Sequence, residues 1–313
     1  MERKNVLLVA GGGTLGTYVT EELVEQGVHV DVICLEDYKS NDMVTYYQAS
    51  ANFDYLKEFL ANKFYDAIVD FFHYKILDDY KKTYEFYSEH TNQIVLLSSY
   101  RIYADKEHPI KETSPTWLDV SVDEEYFNTE DYAMPKLRCE TFLKSQPKKN
   151  WTIVRPVISF SDKRFDLFMY SGSTILSKAE SKERVVLPID AKNITAGIDW
   201  AGNSGRLIGK LLMNEKAMGE TYTISTGQNL TWGEVADIYC EVFGINVEWV
   251  SMEDFIKYGP DLSWNKWGLK YDRMLDRSVD ASKVFEATGT KKEDFESIKN
   301  ALIYEVKKKK GEF

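Results

Sequence analysis

The feature that most limits what this chain can fold into is a glycine run beginning at residue 11. An apolar stretch, Val6 to Ala10, leads directly into Gly11-Gly12-Gly13-Thr14-Leu15-Gly16, and a helical pattern continues to Gln26. Gly11, Gly13 and Gly16 make G-x-G-x-x-G. In that pattern the first glycine permits a tight turn, the second lets a pyrophosphate approach the backbone, and the third allows close packing of helix on strand. The opening turn of the helix adds unpaired N–H groups that favour an anion. Three consecutive glycines also suit a plain turn, but the position between a strand and a helix favours a dinucleotide site. Gly11, Gly13, Thr14, Leu15 and Gly16 are its expected contacts.

Val28 to Cys34 reads as the second strand and completes a βαβ unit. The alternation continues with a helix over Phe53 to Asn62, a strand over Ala67 to Phe72, a helix over Leu77 to His90 and a strand over Gln93 to Ser98. Repeated units of this kind predict an α/β fold with a doubly wound parallel sheet. A polar stretch, Ala104 to Glu130, interrupts the pattern and is expected to be a loop. A helix near Tyr132 to Lys144 and a strand, Trp151 to Val154, follow it. Beyond Pro156 the expected helices are Leu167 to Lys178, Trp200 to Met213, Trp232 to Phe243 and Glu293 to Lys308. The expected division is a dinucleotide-binding domain over 1–156 and a smaller, mostly substrate-binding domain over 157–313, with some segments returning to the main sheet.

Charge narrows the partners. The 39 Lys and Arg against 50 Asp and Glu leave a net charge of -11, which repels nucleic acid and anionic membranes. Neither is an expected partner. The run Lys307 to Lys310 complements the C-terminal dipole of a helix. The three cysteines, Cys34, Cys139 and Cys240, fall in no metal-ligand spacing, so no metal or disulfide framework is expected. The N-terminal apolar run is too short for a signal-peptide core, and a cytoplasmic location is the expectation.

The fold usually places an acid on the cofactor ribose about 20 residues past the glycine turn. Cys34 stands there, with Glu36 and Asp37 just beyond. Glu36 is the expected substitute, and no nearby arginine offers itself to a 2'-phosphate. NAD is therefore expected, with NADP left open. His73, just past the third strand of the pattern, reads as a structural histidine near the cofactor.

Tyr132 and Lys136 lie at i and i+4, on one face of a helix. A neighbouring ammonium favours the phenolate, which suits a tyrosine to proton transfer. With 20 tyrosines the spacing alone is not rare, and it recurs at Tyr304 and Lys308. Only the first pair sits between two core strands. Pro135 requires that helix to begin near Asp131.

Taken together, the glycine turn, Ser98-Ser99-Tyr100-Arg101-Ile102-Tyr103, Tyr132 to Lys136, Arg155-Pro156, Gly197-Ile198-Asp199 and Asp280-Ala281-Ser282-Lys283 resemble the extended short-chain dehydrogenase/reductase family. The resembling branch holds NAD-dependent epimerases and dehydratases on a Rossmann-type fold. The resemblance implies Tyr132 as acid/base and Ser99 as the hydroxyl on the reacting oxygen. It implies Lys136 on the nicotinamide ribose. The pattern is departed from in three ways: Ala10 replaces a first glycine, Cys34 replaces the ribose acid, and Ile158 and Ser161 stand where Asn and Gly are frequent.

The implied substrate is a sugar or nucleotide sugar, reacting at a secondary alcohol or ketone. A diphosphate needs cations, and Arg273 and Arg277 are the candidates put forward, with Arg164, Arg184 and Lys270 also available. The aromatic segment Trp264 to Tyr271 is placed to close over a substrate or to pack in the core. A homodimer is common in the family. The competing reading is a non-catalytic cofactor-sensing or RNA-binding protein on the same fold.

Overall fold

Along β1 (Asn5–Val9), Val6 and Leu8 belong to one buried cluster and Leu7 and Val9 to another. Side chains alternate across a strand, so both faces of this sheet are covered, as a parallel sheet between helical layers requires. The computed structural model describes residues 3–130, 132–263 and 265–312. Its other strands are β2 (His29–Cys34), β3 (Val44–Gln48), β4 (Tyr65–Asp70), β5 (Thr91–Leu97), β6 (Trp151–Pro156), β7 (Ile158–Phe160), β8 (Arg184–Pro188), β9 (Ile198–Trp200), β10 (Glu220–Ile224) and β11 (Asn246–Val250). The main sheet has the order β10-β6-β5-β4-β1-β2-β3, and every neighbouring pair in it is parallel. The order reverses between β1 and β4, the switch point at which such sheets bind ligands.

The helices are α1 (Thr14–Glu25), α2 (Phe53–Leu60), α3 (Leu77–His90), α4 (Glu124–Phe127), α5 (Ala133–Ser145), α6 (Gly172–Ser181), α7 (Ala201–Leu211), α8 (Trp232–Phe243), α9 (Met252–Tyr258), α10 (Lys266–Gly268), α11 (Ser282–Thr288) and α12 (Ile298–Lys310). Val19 and Leu23 of α1, with Leu207 and Leu211 of α7, cover one face of the sheet. Leu56 and Leu60 of α2 and Tyr80, Tyr84 and Tyr87 of α3 cover the other. Two glycines let α7 lie close on α1. A Cβ at Gly205 would come within 2.5 Å of Tyr18, and one at Gly209 within 2.5 Å of Glu22.

The expected doubly wound sheet is thus present, with differences of detail, among them α4 inside the stretch 104–130 expected to be a loop. β3 was not anticipated, because an edge strand with one half-buried side carries a mixed sequence, Val44-Thr45-Tyr46-Tyr47-Gln48. The helix expected from Leu167 starts at Gly172 instead. Leu167 and Tyr170 exchange backbone hydrogen bonds of 3.1 and 2.8 Å, and Ser171 caps the helix by accepting from Thr174. Likewise α12 begins at Ile298, where Ser297 caps it.

The second half contributes α7 and β10 to the main sheet layer and builds a separate core. That core packs Phe160, Phe165, Leu167 and Tyr170 against Val185 and Leu187 of β8 and Trp232 and Tyr239 of α8. Among the described residues no helix is long and apolar enough to cross a membrane.

A buried ion pair ties α5 to the sheet. Glu140 is fully buried and Arg155 is 1% exposed. Arg155 donates from Nε to Glu140 Oε1 at 2.9 Å and from a terminal nitrogen to Oε2 at 2.5 Å. Its other terminal nitrogen donates to the Tyr103 hydroxyl at 2.7 Å, and that hydroxyl meets Thr223 Oγ1 of β10 at 2.8 Å. Burial pushes the Glu140 carboxyl up, but Arg155 overrides it and holds the group below the ordinary glutamate range. A carboxyl depressed on folding stabilises above its unfolded pKa, and that contribution is lost as pH falls through the folded value. Glu140→Leu alone, which strands a buried guanidinium, is expected to cost about 3–5 kcal/mol in urea denaturation. Glu140→Leu with Arg155→Met should recover much of that loss; an additive double variant would show that the pair is not coupled.

Candidate active site

The glycine turn follows β1 at the switch point. Ala10 has φ of 55°, in the left-handed region that glycine takes without a Cβ penalty. It stands where the resembling family has its first glycine. Gly16 has no freedom to change: a Cβ there would lie 2.0 Å from the Gly11 carbonyl oxygen. Gly13 is the opposite case, since a Cβ on it would meet nothing within 4 Å. Gly13 faces the cleft as the N-cap of α1, with no side chain capping the first turn. The N–H groups of that turn remain available for an anion.

Glu36 lies beyond the end of β2 and reaches back to the turn. A Cβ on Gly12 would be 2.1 Å from Glu36 Oε2 and 2.7 Å from Cys34 Cβ. The carboxylate therefore lies against the turn, although the strand itself ends at the buried Cys34. Burial also pushes the Cys34 thiol up, which keeps it a neutral packing group.

A cleft of about 740 Å³ runs from the turn toward the second half of the chain. Ala10, Gly13, Thr14, Leu15 and Gly16 line one end, and Ser99, Arg101, Tyr132, Arg164 and Arg273 line the rest, over an apolar floor that includes Val157 and Met169. This volume suits a small-molecule site. A larger hollow, about 980 Å³, lies on the outer side of α1 and α7, away from these residues. Its lining carries Glu21, Glu22, Glu25, Asp294 and Glu296 against Arg206 and Lys210, a net negative charge that repels a diphosphate, so the cleft at the glycine turn is the better candidate.

Tyr132 is the N-cap of α5, and its side chain is 36% exposed. Pro135 falls in the first helical turn, where a missing N–H breaks no hydrogen bond; Asp131, the expected start, lies outside the described residues. Lys136 is 5% exposed, and its ammonium is 5.0 Å from the Tyr132 ring centroid. It donates to the Leu97 carbonyl at the end of β5 at 2.5 Å. Ser99, 4% exposed, accepts from the Arg101 backbone at 3.2 Å and also lines the cleft. Capping and cleft lining are thus both met by one side chain. The His73 ring stacks on Tyr132, centroids 5.5 Å apart.

The two substrate arginines part company. Arg273 lines the cleft, donating to the Phe168 carbonyl at 2.8 Å and pairing with Asp272. Arg277 does not line it. It is 1% exposed and donates to the backbone carbonyls of Tyr103 and Tyr271 at 2.9 and 2.8 Å. Gly197 leaves room for it, because a Cβ there would be 2.6 Å from Arg277 Cβ. Burial pushes the Asp272 carboxyl up, yet Arg273, Arg101 and Arg277 together hold it below the aspartate range. In the aromatic segment Tyr271 stacks on Tyr126 at 3.9 Å, and Trp264 lies outside the described residues. Arg184 and Lys270 pair with Glu248 and Asp123 on the surface.

Sequence reasoning missed Lys163, Arg101, Asp166 and Asn265 as cleft-lining residues. Arg101 carried a signal, since it lies within the Ser98 to Tyr103 segment. Nothing in the local sequence connects Lys163 to the glycine turn.

Asp70, fully buried at the end of β4, also belongs to this region. It accepts from the Phe72 amide at 2.9 Å and the Tyr74 hydroxyl at 2.7 Å. Burial raises its carboxyl to about 6, against the lowering effects of those bonds and of Lys136. A carboxyl raised on folding binds its proton more tightly in the native state. Its ionisation therefore costs stability as pH rises from about 4 to above 6. Asp70→Asn is expected to gain about 1 kcal/mol relative to the parent between pH 5 and pH 8. Parallel denaturation curves at the two pH values check this, and a pH-independent difference would contradict it.

No family model matches the chain, and no curated protein matches it. Solved structures do. An epimerase from Methanothermobacter thermautotrophicus superposes with a TM-score of 0.74 at 14% identity, covering 99% of this chain and 93% of that one. UDP-glucose 4-epimerase from Thermotoga maritima, solved with UDP-glucose, gives 0.73 at 17% identity over 98% of this chain and 99% of its own. A short-chain dehydrogenase/reductase superfamily protein from Agrobacterium tumefaciens with bound NAD gives 0.70 at 12% identity over 98% and 97%. With a parallel seven-stranded sheet, a glycine turn at its switch point and near-complete superposition, this chain has the fold of these epimerase and short-chain dehydrogenase/reductase structures.

Proposed function

We propose that this chain is an NAD-dependent enzyme of the epimerase, dehydratase or reductase kind, acting on a secondary alcohol or ketone of a sugar or nucleotide sugar. One observation carries the reading: a single cleft holds the glycine turn at one end and Ser99 and Tyr132 along its wall. Solved neighbours that hold NAD or UDP-glucose support the choice of cofactor and substrate class. The cytoplasmic location and the division at residue 156 belong to the same proposal.

The residues present fit a dinucleotide. The open face of Gly13 and the uncapped first turn of α1 receive the diphosphate, and Glu36 receives a ribose hydroxyl. When bound, the nicotinamide supplies the redox chemistry. The protein's part is to move one proton and hold the reacting oxygen. Tyr132 takes the hydroxyl proton or returns it to the ketone oxygen, and Ser99 hydrogen-bonds that oxygen. Lys136 stabilises the phenolate electrostatically and meets the nicotinamide ribose. Arg273, with Arg101 and Arg164 on the same cleft, supplies charge for a diphosphate-linked substrate.

Titration calorimetry of nucleotide-stripped protein with NAD, NADH, NADP and NADPH tests the first half of the proposal. Tight binding of one redox pair is expected, and binding of none would remove the reading. Tyr132→Phe should bind that cofactor as the parent does while turnover on the accepted sugar falls by roughly 10²–10⁴. Undiminished turnover would take the acid/base role from Tyr132.

A further inference from the structure

Lys163 follows β7, in the half of the chain that the sequence divides from the glycine turn. Its ammonium nevertheless donates to the Gly12 carbonyl at 2.9 Å, the Thr17 hydroxyl at 2.8 Å and the Tyr38 hydroxyl at 2.9 Å. Tyr38 itself donates to the Gly12 carbonyl at 3.2 Å. The nearby Ser161 hydroxyl lies 3.4 Å from Thr14 Oγ1, so the segment after β7 straps across the turn with two contacts. Lys163 also lines the cleft beside Gly13 and Thr14.

The charge is on the wrong side for the helix. A cation within the first turn opposes the positive end of the dipole of α1. All three ammonium N–H groups go to neutral oxygens, which are weaker acceptors than a phosphate. Glu36, whose carboxylate lies against Gly12, is not among these hydrogen-bond partners.

Resting on the proposed dinucleotide site, we infer that Lys163 is a cofactor-binding residue that clamps a phosphate of the dinucleotide from the second half of the chain. The phosphate oxygen replaces one of the neutral acceptors, and the strap then closes on ligand as well as on the turn. Two phosphates have this chemistry. The diphosphate belongs to both cofactors and would be held by the first turn of α1, whereas the 2'-phosphate belongs to NADP alone and would be held past the end of β2, in the segment that carries Tyr38.

The test is calorimetric titration of the full chain with NADH and NADPH, for the parent, Lys163→Met and Lys163→Arg, at two KCl concentrations, with thermal melting of each protein. Lys163→Met is expected to weaken binding roughly 10- to 100-fold. Equal weakening of NADH and NADPH assigns the diphosphate, and weakening of NADPH alone assigns the 2'-phosphate. Lys163→Arg should retain most of the affinity. Parent affinity should also fall more steeply with salt than that of Lys163→Met, a difference that a merely structural strap would not produce. Unchanged affinity in Lys163→Met, or equal salt dependence, overturns the inference while leaving the dinucleotide site standing. A parent that binds neither nucleotide overturns the site reading as well.

Discussion

The buried Glu140–Arg155 pair is the constraint on which the rest of the site depends. A carboxylate and a guanidinium removed from water need one another, because either alone is an uncompensated buried charge. Glu140 follows Lys136 by one helical turn on α5, and Arg155 lies on β6, so satisfying the pair sets the height and rotation of α5 against the sheet. Tyr132 at the start of that helix is thereby delivered to the cleft. The network reaches further through Tyr103 to Thr223 on β10, which draws a late strand into the same arrangement.

A second buried charge organises the other wall. Asp272 gathers Arg101, Arg273 and Arg277, and accepts from the Tyr100 hydroxyl at 2.5 Å. The segment after Ser99 and the segment around Asp272 are thus held together by one carboxylate. Arg277 is spent on that junction and on two backbone carbonyls, whereas Arg273 keeps a place in the cleft lining. Two arginines of the same type and nearly the same position in sequence differ in role because only one fills an enclosed space.

The two carboxyls at this end of the sheet respond to pH in opposite directions. Glu140 has a guanidinium in contact and stays ionised; Asp70 has hydroxyl and amide donors, with Lys136 its smallest lowering influence, so burial dominates. Asp70 also lies near Lys136, which places the titration of a structural group next to the proposed chemistry.

The sequence by itself determined the parallel sheet, the glycine turn and the position of the Tyr132–Lys136 helix, because each follows from local periodicity or from backbone room that only glycine provides. It also put Glu36 just past the second strand, close enough along the chain to reach the glycine turn. It missed the edge strand β3, whose half-exposed residues lack a clear alternation. Only the tertiary structure decided that Lys163 reaches the glycine turn, that Arg277 is enclosed while Arg273 is not, and that Glu140 and Arg155 meet. Those outcomes depend on which charges find partners when distant segments pack, and a buried charge leaves no periodic signature in the sequence around it.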